Sequence, residues 1–311
     1  MRIVFMGTPE FAVIPLELLM LNRAGVVAVY TQPDKEAGRG RALVAPPVKA
    51  VALKYGLTVY QPVNLKSVEE RDKLTALKPD IIVVAAFGQI LPQAILEMPR
   101  YGCLNIHPSL LPKYRGVSPV PAAILNGDEF TGVSVMMLDR GVDTGPVLVQ
   151  VQVSITGWDT TGSLTEKLSR IGAQLLLEIL PRWVKGQVML QTQDDVQATY
   201  TRLIDKEVGE IEWNRPAVEL CRQVRAYQPW PGSYTRWQGK QLKIIEAIPL
   251  EGQSGTPGRV VLLAGDMAFG VETGAGILGV VRVQMEGKRA MMAGEFLRGQ
   301  RQLPGVVLPD N

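Results

Sequence analysis

The run Ile81-Ile82-Val83-Val84-Ala85-Ala86 carries no polar residue on either of its alternating faces. A strand that turns apolar side chains both ways must be covered on both sides, which puts it inside a sheet flanked by helices. Neighbouring segments repeat the theme. Short apolar runs alternate with stretches of helical period, at residues 2–6 then 11–21, 26–30 then 48–55, and 80–85 then 92–97. That alternation predicts a doubly wound, mainly parallel α/β sheet. Residues 103–106 read as a further strand, 131–138 and 147–153 as a hairpin-like extension, and 160–184 as a long amphipathic helix that closes the unit.

After Gly186 the texture changes. The polar stretch Gln191-Thr192-Gln193-Asp194-Asp195 has few apolar anchors and suits a linker. Beyond it, glycines punctuate short β-type runs at 232–237, 240–247, 258–263, 268–272 and 276–285, with one helical segment at 216–225. Such spacing predicts a small β-barrel of the oligonucleotide-binding type. The expected organisation is therefore a catalytic domain over residues 1–189, a linker over 190–205 and a barrel domain over 206–311.

Composition narrows the chemistry. The chain has a single histidine and two cysteines, Cys103 and Cys221, with no Cys-x-x-Cys spacing. A zinc site would have to be built mostly of carboxylates, which zinc rarely accepts, so no metal is expected. No apolar run reaches the roughly 20 residues of a membrane span, and no leader pattern opens the chain, so a cytoplasmic protein without membrane contact is expected. A net charge of +3 permits an anionic partner without requiring one.

The lone histidine sits in Asn105-Ile106-His107-Pro108-Ser109-Leu110-Leu111-Pro112-Lys113-Tyr114-Arg115-Gly116, where a predicted strand runs into a loop. Open α/β sheets bind ligands at the carboxyl ends of their strands. Asn105 and His107 are two residues apart, so both project from one face of that strand. Histidine has many bland niches, and its placement beside an amide at a strand end is what favours a functional role.

Asp143 lies in a turn-rich loop, Asp139-Arg140-Gly141-Val142-Asp143-Thr144-Gly145-Pro146, where it could organise the turn or serve the histidine. Together the three residues offer an amide for a developing oxyanion, an imidazole for proton transfer, and a carboxylate to orient the ring or take a proton. None is an obvious nucleophile. Ser109 lacks the Gly-x-Ser-x-Gly context of a hydrolase elbow. Gly7-Thr8-Pro9 follows the first strand without forming a dinucleotide or phosphate-loop motif. Gly38-Arg39-Gly40-Arg41, in a long insert at 32–47, joins backbone freedom to positive charge and suits contact with phosphate.

These residues resemble the formyltransferases that use 10-formyltetrahydrofolate. The resemblance covers essentially the whole chain and rests on several motifs: Phe5-Met6-Gly7-Thr8-Pro9-Glu10-Phe11-Ala12, Gln32-Pro33-Asp34, the arginine insert, the Asn105 to Pro112 run, the Asp139 to Gly145 loop and Gln228-Pro229-Trp230-Pro231-Gly232. It departs from the family pattern at Pro108 and at Val117-Ser118, outside the catalytic set. The resemblance implies a Rossmann-like formyltransferase domain with Asn105, His107 and Asp143 as its catalytic group. It implies that Ser109, Leu110, Leu111 and Pro112 border the folate site, with Phe87-Gly88 as a pterin-facing loop.

The arginine insert and the tryptophan motif point to the branch that formylates methionyl-initiator tRNA. Arg39 and Arg41 then meet the acceptor end, the barrel helps hold the tRNA, and the enzyme acts as a monomer without a metal. Glycinamide ribonucleotide formyltransferases usually lack the second domain. Sugar-nucleotide formyltransferases and formyltetrahydrofolate hydrolases carry one and are the nearer rivals, although the arginine insert disfavours both.

Overall fold

The computed structural model describes residues 1–37, 42–252, 255–263 and 268–310. The chain forms two compact units, one made of residues 1–119, 130–154 and 165–201, the other of 120–129, 155–164 and 202–311. In chain order the elements that build the first sheet are β1 (Ile3–Gly7), α1 (Val13–Leu21) and β2 (Val26–Tyr30). A hairpin of β3 (Lys35–Ala37) and β4 (Ala42–Val44) follows, then α2 (Pro47–Lys54), β5 (Val59–Tyr60), α3 (Val68–Ala76), β6 (Ile81–Ala85), α4 (Gln93–Leu96) and β7 (Cys103–His107). Next come β8 (Arg115–Gly116), α5 (Pro119–Asn126), β9 (Phe130–Met137), β10 (Val147–Ser154), the 24-residue α6 (Thr161–Val184) and β11 (Tyr200–Thr201).

Seven strands form the main sheet in the order β10-β9-β7-β6-β1-β2-β5. The pairs from β5 to β7 are parallel, and β9 and β10 extend the sheet antiparallel, so the expected doubly wound core and its hairpin extension are both present. Every residue of β1, β6 and β7 is buried. On one face Val4, Met6, Ile82, Val84 and Cys103 pack with Tyr30, Leu74, Phe87 and Ile95. On the other, α6 comes so close that a β-carbon on Gly172 would stand 2.6 Å from Ile106 Cγ2 and 2.9 Å from Val133 Cγ1. A glycine is needed there for the helix to cover the strand that ends in His107. Ser169 secures the same helix by donating to the Phe11 carbonyl at 2.7 Å.

The β3–β4 hairpin, β5, α3, β8 and β11 are absent from the sequence reading. The described side chains of β4 are exposed, so no burial period marks them. The pair β8–β11 brings residues 200–201 beside 115–116, within the stretch read as a featureless linker.

In the second unit, α7 (Ala217–Ala226) packs with a curled antiparallel sheet in the order β12-β13-β16-β15-β14. Its strands are β12 (Ser233–Trp237), β13 (Lys240–Leu250), β14 (Val260–Leu262), β15 (Phe269–Glu272) and β16 (Ile277–Met285); β17 (Met291–Met292) pairs with β16, and α8 (Ala293–Gly299) follows. These are the five short runs expected of the barrel domain. Its core gathers Trp237, Phe269, Phe296, Leu220 and Val224, with Trp237 and Phe296 meeting edge to face at 5.9 Å.

Candidate active site

Strand β7 sits next to β6 and delivers its carboxyl end to the edge of the sheet where parallel strands present their loops. Asn105 pairs with Val84 of β6 and Met136 of β9, while His107 pairs with Ser134, so both side chains are fixed by register. Asp143 arrives from the β9–β10 loop. Its Oδ1 lies 3.5 Å from Asn105 Nδ2 and its Oδ2 lies 3.6 Å from His107 Nδ1. The three candidates are thus brought together around one carboxylate, with the imidazole 4% and the carboxylate 14% exposed.

Two further contacts define the chemistry. Gly116 N–H donates to Asp143 Oδ2 at 2.8 Å, which fixes the carboxylate against the loop that follows His107. His107 Nε2 lies 3.0 Å from the Tyr114 carbonyl oxygen. A carbonyl only accepts, so Nε2 carries the hydrogen, and in the neutral ring Nδ1 is left bare toward Asp143. The Asp143 carboxylate, 3.6 Å from Nδ1, lies just beyond hydrogen-bond distance, and the Tyr114 carbonyl makes the ring's hydrogen bond. Tyr114 and Asp143 both adopt left-handed backbone, with φ of 60° and 54°. Non-glycine residues held there cost of order 1–3 kcal/mol each and persist only where neighbours fix them.

The loop after His107 is fixed by its own polar groups. Ser109 Oγ is buried and donates to the Lys113 carbonyl at 2.6 Å, so it is spent on loop structure. Ser134, missed by the sequence reading, donates to the Ser109 carbonyl at 2.6 Å and accepts from Leu111 N–H and from Gln150 Nε2. Leu111 packs with Met136 and Val147. Leu110 lies against Gly132, and Pro112 offers its carbonyl to Thr199 N–H. Cys103 is on the same strand, but burial pushes its thiol up to about 12, which leaves it protonated and unreactive.

Phe87 turns its ring into the core and presents only its carbonyl, which accepts from Thr8 Oγ1 at 2.8 Å and Gln32 Nε2 at 3.3 Å; Gly88 follows with φ of 83°. Gln32 also begins the insert. Gln61 Nε2 donates to the Gln32 carbonyl and to Asp34 Oδ1, and Lys49 binds both oxygens of Asp34. The Gln61 amide and the Lys49 ammonium hold the Asp34 carboxyl below the usual carboxylate range. Arg39 and Arg41 lie outside the described residues.

A second set of residues surrounds the loop after His107 and went unrecognised. Arg115 is 1% exposed and donates from Nη2 to Asp195, from Nη1 to Tyr200 Oη and from Nε to Gln193 Oε1. Gln193 and Asp195 belong to the stretch whose polarity suggested a linker. No residue-type signal links that stretch to Arg115, 78 residues earlier, and only the tertiary contact reveals it. Among the described residues, no cluster of histidine, cysteine, aspartate and glutamate could hold a metal ion, and no helix is long and apolar enough to cross a membrane.

An amide, an imidazole and a carboxylate meet at the carboxyl edge of a doubly wound sheet, beside a serine and a cysteine that are unavailable as nucleophiles, an arrangement suited to group transfer without a covalent enzyme intermediate. Comparison with known proteins gives the family. Residues 1–180 match the formyl transferase model and residues 203–301 match the formyl transferase C-terminal domain. The methionyl-tRNA formyltransferase of Dehalococcoides mccartyi strain 195 is 51% identical over 309 residues, covering 99% of this chain and 98% of that one.

Among solved structures, HypX from Aquifex aeolicus in complex with tetrahydrofolic acid superposes with a TM-score of 0.66 at 19% identity. The match covers 98% of this chain but only 48% of HypX, so this chain spans about half that protein's length. WlaRD, a sugar 3N-formyl transferase crystallised with dTDP and 5-N-formyl-THF, gives a TM-score of 0.66 at 21% identity, covering 93% and 99% of the two chains. The chain belongs to the formyl transferase family, among the methionyl-tRNA formyltransferases.

Proposed function

We propose that this protein transfers the formyl group of 10-formyltetrahydrofolate to the α-amino group of the methionine esterified to initiator tRNA. The observation that carries the chemistry is the Asp143 carboxylate held between Asn105 and His107 with no available nucleophile beside it. The whole-chain likeness to a methionyl-tRNA formyltransferase supports the choice of acceptor.

The neutral amine attacks the formyl carbon directly. Asn105 Nδ2 donates to the formyl oxygen as it gains charge. Asp143 and the bare Nδ1 of His107 face each other as two acceptors, and the proton lost by the amine closes the gap between them. The new amide bond stays, the bond from the formyl carbon to N10 breaks, and a proton returns to N10, giving formylmethionyl-tRNA and tetrahydrofolate.

In this reading Ser109 to Pro112 and Phe87-Gly88 border the folate, through main-chain groups where the side chains are buried. Residues 1–189 are the catalytic part and 190–205 the connector. Residues 206–311 hold the tRNA together with Arg39 and Arg41. The protein works as a monomer in the cytoplasm. Labelled 10-formyltetrahydrofolate offered with methionyl-tRNA, glycinamide ribonucleotide or an amino-sugar nucleotide tests the assignment. Label on the methionine nitrogen supports it, and label on either other acceptor, or on none, overturns it.

A further inference from the structure

We propose that Gln193 is a positioning residue for formyl transfer, pinning the main chain of the Asp143 loop so that the carboxylate stays between Asn105 and His107. The inference rests on the functional reading above. The Gln193 side-chain amide makes three directed bonds. Its Nε2 donates to the carbonyls of Asp143 at 2.8 Å and Gly145 at 2.7 Å, and its Oε1 accepts from Arg115 Nε at 3.0 Å. Both amide hydrogens are used, and the acceptor bond to Arg115 leaves the amide only one orientation.

The anchor itself is fixed. Arg115 is buried, and its other nitrogens bind Asp195 and Tyr200 from the same segment. That segment also holds the histidine side of the site. Thr199 Oγ1 accepts from Tyr114 N–H at 2.8 Å, and the Thr199 carbonyl accepts from Arg115 N–H at 2.8 Å. Tyr114 is the residue whose carbonyl accepts the hydrogen bond from His107 Nε2. Gly116 can lie against this segment because it has no side chain, since a β-carbon there would stand 2.7 Å from the Thr201 carbonyl. Residues 193–201 therefore clasp both left-handed residues of the active site, Asp143 through Gln193 and Tyr114 through Thr199.

Asp143 depends on this clasp because its carboxylate meets each catalytic partner only at the limit of contact, 3.5 Å from Asn105 and 3.6 Å from His107. A small shift of the loop separates them. Displacements near 1 Å can reduce turnover by roughly 100-fold when they misplace a reacting group.

Two substitutions separate pinning of the Asp143 loop from simple tethering of the segment. Gln193→Ala removes all three bonds. Gln193→Glu keeps the acceptor toward Arg115 and strengthens that pair, but sets a carboxylate oxygen against the carbonyls of Asp143 and Gly145. Both variants are measured for kcat and for KM of each substrate, for thermal stability, and for the imidazole ¹⁵N resonances of His107, which are unambiguous because the chain has one histidine.

The expected result is a kcat lower by about 10- to 100-fold in both variants, KM values within about threefold, and shifted His107 resonances, with both variants folded at the assay temperature. Wild-type kcat and unchanged His107 resonances in both, in a protein whose wild type formylates methionyl-tRNA, overturn the proposal and leave the functional reading standing. Wild-type behaviour of Gln193→Glu beside an impaired Gln193→Ala also overturns it, because tethering to Arg115 then suffices. If the wild type formylates no acceptor, the functional reading fails, and the His107 resonances alone decide whether Gln193 positions Asp143.

Discussion

His107 Nε2 stands 3.0 Å from the main-chain oxygen of Tyr114, which assigns a ring hydrogen to Nε2 and turns Nδ1 toward Asp143. Asp143 Oδ2 lies 3.6 Å from that nitrogen. Replacing the carboxylate with an amide changes this directly. Asp143→Asn can donate to Nδ1 and hold the ring, but it cannot take the amine's proton. Its kcat is expected to fall by about 10²–10⁴-fold, the usual worth of general acid–base catalysis, with little change in thermal midpoint. Steady-state kinetics and calorimetry on the variant check both parts.

In the proposed reaction Asn105 contributes a donor where the formyl oxygen gains charge. Asn105→Ala should lower kcat by about 10²–10³-fold, the loss typical of one oxyanion donor. Folate binding, followed by fluorescence titration, should stay within a few-fold of wild type. A selective loss of folate affinity with normal turnover of the bound complex would assign Asn105 to binding instead.

Arg39 sits on the insert whose base is tied down by Asp34, Lys49 and Gln61. Arg39→Ala should raise KM for methionyl-tRNA, leave KM for the folate unchanged, and reduce the dependence of log affinity on log salt by about 1, as expected for one lost phosphate contact. Filter-binding of charged tRNA across a salt series measures that slope. An unchanged slope removes Arg39 from the tRNA contact.

Gly172 tests the packing behind the catalytic strand. Alanine is the better helix former by up to about 1 kcal/mol. A β-carbon at this position meets the stiff methyl groups of Ile106 and Val133 below 3 Å, and overpacking a filled core costs about 1–3 kcal/mol. Gly172→Ala should therefore lower the thermal midpoint. A rise, as propensity alone gives, contradicts the close approach of α6.

Burial raises the Cys103 thiol to about 12 from its ordinary value of 9.0. Stability linked to a raised group is complete below the unfolded pKa and is lost as pH climbs toward the folded one. Between pH 9 and 12 this thiol should lower unfolding free energy by about 1.4 kcal/mol per pH unit. Urea melts at pH 8 and pH 10.5 should show a smaller loss for Cys103→Ala than for wild type, and equal losses would contradict the linkage.

The sheet was legible because β6 has no polar face, and a strand of that kind has few places to go. Asn105 and His107 were legible as a pair because strand period alone puts them on one side. Asp143 could be named from its loop, but its distance to either partner depends on how that loop closes. The Tyr114 carbonyl could not be anticipated, because main-chain atoms leave no trace in residue type and the contact depends on a left-handed backbone. Gln193 was hidden for a different reason. A polar run without apolar period reads as solvated, and only the tertiary approach to buried Arg115, 78 residues earlier in the chain, turns its amide into part of the site. The β3–β4 hairpin was missed because the exposed side chains of β4 give no periodic signal.

The central claim is direct formyl transfer at the Asn105, His107 and Asp143 group, and a single-turnover experiment on His107→Ala tests it most directly. Enzyme in excess is mixed with 10-formyltetrahydrofolate and methionyl-tRNA, and formylmethionyl-tRNA is quantified by rapid quench. The account predicts a rate lower by at least about 10²-fold with folate affinity within a few-fold of wild type. A rate close to wild type would contradict it.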